Sequence, residues 1–263
     1  MTEDSPDENL HMLFNRLFWA EHPIGRSILG TGETVSAISK EVALNYIRKS
    51  YTPENILIVA AGDVDHQEMV SYFEPVFESA PGESGLSSAR SVPLSNGGLS
   101  VHFKELEQVH VCLGGEAPSQ VAEKRFACAI LNTIFGGNMS SRLFQEIREK
   151  RGLNRVLETI QNEIRKLCEG ELTQSDLAAA KEHLIGGIYL ASEGADNRMM
   201  RIAKNEFVFG KYVDYEELVS SLEQVSIDEV VETANDTFRK SKISFAALGP
   251  LKDENLDRGL LEY

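Results

Sequence analysis

The chain has 263 residues, 42% of them hydrophobic and 25% charged, the composition of a soluble globular protein with room for one large or two ordinary domains. Its net charge of −15 argues against nucleic acid and anionic membrane as partners, and is compatible with basic peptides. No apolar run approaches the length of a membrane span, and the acidic start MTEDSPDE is unlike a signal or transit peptide, so a cytoplasmic location is expected.

Ser5 and Pro6 read as a helix start, followed by Leu10, Leu13, Phe14, Leu17 and Phe18 at helical spacing up to Trp19. Residues 22–34, HPIGRSILGTGET, read as an ordered loop. GTGET lacks the Lys of a phosphate-binding loop and the third glycine of a dinucleotide fingerprint, which excludes nucleotide binding by those routes. A helix over 39–50 leads to a β-branched run, ILIVAA at 56–61, expected as a buried strand closing at Gly62. Residues 65–77 are again helical. The Ser-, Gly- and Pro-rich stretch 79–98 has no apolar period and reads as a linker.

Beyond it, 100–118 predicts two short strands, with Val109, Val111 and Leu113 alternating with His110 and Cys112. A helix over 121–135 has Phe126, Ile130, Leu131 and Ile134 on its apolar side. It delivers the chain to FGGNMSSRLFQEIREKRGL, residues 135–153. There Gly136 and Gly137 form a tight turn, and Asn138, Ser140 and Ser141 are capping residue types. A helix over 141–150 should follow, with Leu143, Phe144 and Ile147 on one face, Glu146 and Lys150 paired, and Gly152 at its end. Helical patterns continue from 156 to 167, from 177 to 209 and from 225 to 238, and 243–248, ISFAAL, is a last strand. Cys112, Cys128 and Cys168 have no CxxC spacing and cannot all pair, so they read as structural thiols in a reducing compartment.

A short pattern recurs. Ile47-Arg-Lys-Ser, a connector and Ile56-Leu-Ile-Val-Ala-Ala-Gly62 return as Phe238-Arg-Lys-Ser, then Ile243-Ser-Phe-Ala-Ala-Leu-Gly249. Each copy is a helix feeding a strand that closes at glycine. The fold class expected is therefore α+β: two related units, each a mainly antiparallel sheet with helices on one face.

The stretch GGNMSSRLFQEIREKRGL resembles the second-domain signature of the pitrilysin/insulinase family of zinc peptidases, the type that includes mitochondrial processing peptidase. His22-Pro-Ile-Gly-Arg resembles a phrase of the first domain of the same family. The resemblance implies two homologous domains facing one another across a peptide-binding chamber. On it, residues 1–80 are the C-terminal part of the first domain, 81–98 the linker and 99–263 the second, non-zinc, substrate-facing domain. The family's zinc site needs H-x-x-E-H on a helix and a downstream Glu. His102-Phe-Lys-Glu105 begins that pattern, but Leu106 stands where the second His must be. His11, His22, His66, His110 and His183 form no such motif either, and Glu3 does not match the third ligand. No catalytic or metal-ligating residue is therefore assigned, and zinc belongs to the intact family only.

Within the signature, Arg148 matches the family arginine that binds the substrate backbone. The partner Tyr position holds Arg155, and the strands expected between Leu153 and Asn154 are missing, as if excised. The leading reading is a member of this peptidase family that is truncated at the N-terminus, internally deleted near 153–154 and inactive alone. The alternatives are a non-catalytic, substrate-presenting or scaffold subunit of a processing-peptidase-like complex, or a remnant that folds poorly by itself. The partners implied are a peptide or unfolded segment and a homo- or hetero-oligomer. Both sheets, being incomplete, should expose apolar edges.

Overall fold

The structure is a computed structural model that describes residues 5–20, 22–78, 92–147, 153–240 and 243–251. Helix α1 (Pro6–Phe18) starts with proline in its first turn and buries Leu10 and Phe18. The loop expected after it contains a 3₁₀ turn, Pro23–Gly25, and a short helix α2 (Gly32–Ser36) capped by Thr31. Helix α3 (Lys40–Ser50) is capped by Ser39, whose hydroxyl accepts from the Val42 amide at 3.3 Å. Helix α4 (His66–Glu78) follows.

Strands β1 (Gly98–Phe103) and β2 (His110–Gly114) come next, then helices α5 (Arg125–Phe135), α6 (Arg142–Ile147), α7 (Leu153–Cys168) and α8 (Gln174–Glu193). Gly194 separates α8 from α9 (Ala195–Phe209). Helix α10 (Tyr215–Gln224), in a stretch without a clear apolar period, begins at Asp214, whose carboxylate accepts from the Tyr215 amide. Helix α11 (Ile227–Asn235) runs into a π-helical turn, Asp236–Lys240, and strand β3 (Ser244–Gly249) ends the described fold.

The class is α+β, as expected, but the sheet differs from the expectation. It is three-stranded and mixed, in the order β1-β3-β2, with β1 parallel and β2 antiparallel to β3. Helices cover both faces of its central strand. Phe245 and Ala247 point to a cluster with Leu99 and Val101 of β1, Val111 and Leu113 of β2, and Leu157 of α7. Ala246 and Leu248 point the other way, to Cys112 and to Leu10, Leu13 and Phe14 of α1. Side chains alternate across a strand, so two covered faces require a strand apolar throughout, and every residue of β3 is buried. Behind α7, Ile130 and Leu131 of α5, Ile164 and Leu167 of α7 and Val230 of α11 are almost fully buried. Gly249 closes β3 at φ 157°, where a Cβ would meet Val109 Cα at 2.9 Å.

The chain folds as two compact units, interleaved along the sequence. The first comprises residues 1–27, 93–187 and 214–263, and the second 28–92 and 188–213. A compact unit need not coincide with a stretch descended from one family domain, so the contiguous division drawn from sequence is a separate question. The second unit corrects one expectation directly. Residues 56–61 do not form a buried strand: no ladder partner is described for them, and Ile56, Leu57 and Ile58 are about 40% exposed (39%, 38% and 40%). Strand burial comes from neighbouring strands, and among the described residues none pairs with this segment. Val213 is the one buried apolar residue of this unit among the described residues.

Candidate functional site

The glycine turn behaves partly as its residues imply. Gly137 is required by close approach, since a Cβ there would meet Thr133 Cα at 2.9 Å and the Asn132 carbonyl oxygen at 3.1 Å. The Asn138 side chain accepts from the Ser140 amide at 2.8 Å. Ser141 does not cap α6. Its side chain is buried and its hydroxyl has no hydrogen-bond partner. Leu143 is half-buried and Phe144 is 44% exposed, so the apolar face of this short helix is only partly covered. Arg148, the sequence-predicted substrate-binding residue, lies outside the described residues, as do Lys150 and Gly152.

A cleft of about 410 Å³ opens beside α6, lined by the turn residues 138–142, by Thr133 and Ile134 of α5 and by Asp176, Ala180 and His183 of α8. Arg142 is among its lining residues and carries an ion cluster. The guanidinium donates to the Glu171 carbonyl at 2.5 Å and to the Asp176 carboxylate at 3.3 Å, and lies 3.9 Å from Glu163 of α7. The Glu163 side chain is only 5% exposed, and Lys166 donates to it at 2.6 Å. That hydrogen bond is the main cause holding the Lys166 ammonium above its ordinary value. Burial pushes Asp176 up, but the Thr173 amide and hydroxyl and the Arg142 cation together outweigh it and hold the carboxyl below 3.8.

Every charge in this cluster has a partner, and none is a nucleophile beside a base. Its chemical effect is to fix α6 against α7 and the 171–176 connection. Sequence reasoning missed Arg142, Glu163 and Asp176 because 21 and 34 residues separate the arginine from its acids. The Thr173-x-x-Asp176 spacing is a local capping signal that could have pointed to Asp176, and it is formed, with the Asp176 amide donating to the Thr173 hydroxyl at 3.1 Å.

The histidines lie apart. His11 is on α1, His22 caps a turn by accepting from the Ile24 amide, and His66 starts α4. His102 bonds Ser100 within β1, His110 of β2 meets Asp7 of α1 at 2.8 Å, and His183 sits exposed on α8. Among the described residues no three His, Cys, Asp or Glu side chains could share a metal ion. The donors among the described residues do not fit the family's zinc. The three thiols are unpaired, and burial raises the pKa of each. Among the described residues no helix is long and apolar enough to cross a membrane.

A family model described as the peptidase M16 inactive domain matches residues 37–155, and so takes in the glycine turn and α6. An uncharacterized zinc protease of Streptomyces coelicolor is 31% identical over 293 residues, covering 98% of this chain and 64% of the relative. One of Rickettsia bellii is 32% identical, covering 94% and 66%. The chain belongs to the M16, pitrilysin/insulinase-type, peptidase family. Solved structures share the fold of this M16 chain. A protease from Helicobacter pylori superposes with a TM-score of 0.81 at 18% identity, covering 94% of this chain and 68% of the other. A chain of complex III from Candida albicans does so at 0.85 and 13%, covering 98% and 70%. The M16 chain thus spans slightly less than two thirds of the length of the curated relatives it matches.

Proposed function

We propose that this chain is the non-metal, substrate-facing part of an M16-type zinc peptidase and does not hydrolyse peptides by itself. The observation that carries the reading is a match to the family's inactive domain in a chain whose six histidines never form H-x-x-E-H. The relatives are named zinc proteases, so in this reading the zinc and its activated water belong to a polypeptide that has the motif, and a peptide is what the pair acts on. Residues 1–80 then descend from the first family domain, 81–98 join, and 99–263 descend from the second, with a deletion near 153–154. Three observations support the deletion. The Streptomyces alignment runs over 293 residues although the chain has 263, the family match ends at residue 155, and α7 begins at Leu153. A cytoplasmic site of action fits the acidic composition.

Purified chain, dialysed and assayed with a fluorogenic peptide, is expected to retain no stoichiometric zinc and to show no metal-dependent cleavage. One tightly held zinc per chain would sink the reading. By the family resemblance, Arg148 is the position whose paired guanidinium donors would take a substrate carbonyl, and in this reading it is orphaned. With its tyrosine partner and strand edge missing, Arg148→Ala should leave the anisotropy-measured affinity for an extended basic peptide within about threefold, a change of roughly 0.5 kcal/mol. A tenfold loss from micromolar binding would assign the chain instead as a substrate-presenting subunit. The buried core of the first compact unit favours such a folded subunit over a remnant.

A further inference from the structure

The chain passes between its two compact units four times, after residues 27, 92, 187 and 213. Three of these crossings lie in backbone without helix or strand. The fourth lies inside α8, between Gly187 and Ile188, so one continuous helix belongs to both units. At that point stand two consecutive glycines, Gly186 and Gly187, in the interior of a 20-residue helix. Glycine is the poorest helix former after proline, because it surrenders the most backbone freedom on folding. Other glycines of this fold are required by their surroundings. Gly137 and Gly249 leave no room for a Cβ, and Gly210 ends α9 at φ 62°. Gly186 and Gly187 have neither reason: their φ values are not positive, and a Cβ at either would meet nothing within 4 Å.

The helix is anchored on each side of the pair, and to a different unit. Before it, Asp176 meets Arg142, Leu177 and Ala180 are buried, and the Lys181 ammonium donates to the Glu223 and Val225 carbonyls at 2.7 and 2.6 Å, all within the first unit. After it, the Ser192 carbonyl accepts from Arg198 of α9, within the second unit. Tyr189 and Leu190, just past the pair, are more than half exposed. We propose that Gly186 and Gly187 are a hinge, at which α8 opens locally and the second compact unit turns on the first. A helix is stiff unless something weakens its ladder, and a glycine pair is one of the few things that does. Opening a single turn here leaves both sets of anchors intact, while irregular backbone at the other three crossings absorbs the change. Nothing in the hinge depends on zinc or on peptide hydrolysis, so it stands or falls apart from the proposed function.

The experiment places two spin-labelled noncanonical residues on the full chain, at exposed Gln174 in the first unit and exposed Gln67 in the second, and measures their distance distribution by double electron–electron resonance. The distribution is expected to be broad, and Gly186→Ala with Gly187→Ala should narrow it to less than about half its width. The same double variant should slow exchange of amides 187–191 by about tenfold and raise the melting temperature by about 4–8 °C, since alanine restores helix propensity where space is open. In that background, Ala178→Gly with Ala179→Gly returns the helix weakness to exposed positions between the Asp176 and Lys181 anchors. The melting temperature should fall back and the distribution stay narrow. A distribution already narrow in the wild type overturns the hinge, as does one of equal width in the double alanine variant. A lower melting temperature on Gly186→Ala with Gly187→Ala overturns it too, by showing that close packing demands the glycines. Breadth regained through the glycines at 178 and 179 also overturns it, since any weak point in α8 would then serve.

Discussion

Phe245→Ala is expected to cost about 3–5 kcal/mol of unfolding free energy, the range for truncating a buried phenylalanine. Phe245 is 1% exposed and sits in register with Leu99 on one neighbouring strand and Leu113 on the other, beneath Leu157 of α7. Three elements converge on one ring, so none can collapse into the cavity without moving the others. Against a typical total of about 5–15 kcal/mol, the loss takes much of the stability of the first compact unit. The repeat supplies the control. Ile58 is the counterpart of Phe245 but is 40% exposed, so Ile58→Ala should change stability by only about 0.5 kcal/mol in the free chain. Urea unfolding followed by circular dichroism measures both. Equal losses at the two positions would mean that the first copy is packed as tightly as the second.

That contrast marks where sequence stops being informative. The helical spacing from Leu10 to Phe18, the helical pattern over 39–50 and the alternation through Val109, Val111 and Leu113 are local patterns, and each produced the element it implied. The strand at 56–61 had an equally good pattern, but a strand is stabilised by what lies beside it, and pairing is not written in the strand itself. The same holds for the two covered faces of β3. One face is closed by α1, more than 200 positions earlier in the chain, and no period in 243–248 names that partner. The candidate site divides the same way. The glycine turn was readable because Gly137 answers to Asn132 and Thr133, its near neighbours. The ion cluster was not, because Arg142 answers to acids that only folding brings near. The absence of H-x-x-E-H needed no structure at all, since six histidines can be checked one by one.

Arg142→Ala is expected to destabilise the chain by about 2–3 kcal/mol, more than an exposed ion pair contributes and less than complete isolation of a buried charge. The substitution leaves the Glu171 carbonyl without its donor, frees Asp176 from its cation, and leaves the buried Glu163 carboxylate with Lys166 alone. Because Lys166 remains at 2.6 Å, Glu163 is not abandoned, which sets the upper limit. Arg142→Lys should recover less than half of the loss. One ammonium cannot reach the carbonyl and the carboxylate with the two-armed geometry of the guanidinium. The pH dependence supplies a second readout. Asp176 is held below its ordinary 3.8 in the folded chain, so it contributes stability that is present above that value and lost as pH falls through the lower folded one. Part of that depression comes from Arg142. The gap between wild type and Arg142→Ala should therefore be full at neutral pH and narrow on acidification below about 4, as Asp176 takes up its proton in both proteins. A gap unchanged down to that acidity would mean that the arginine acts through Glu163 and the Glu171 carbonyl only. A gap that widens would contradict the assigned ion pair.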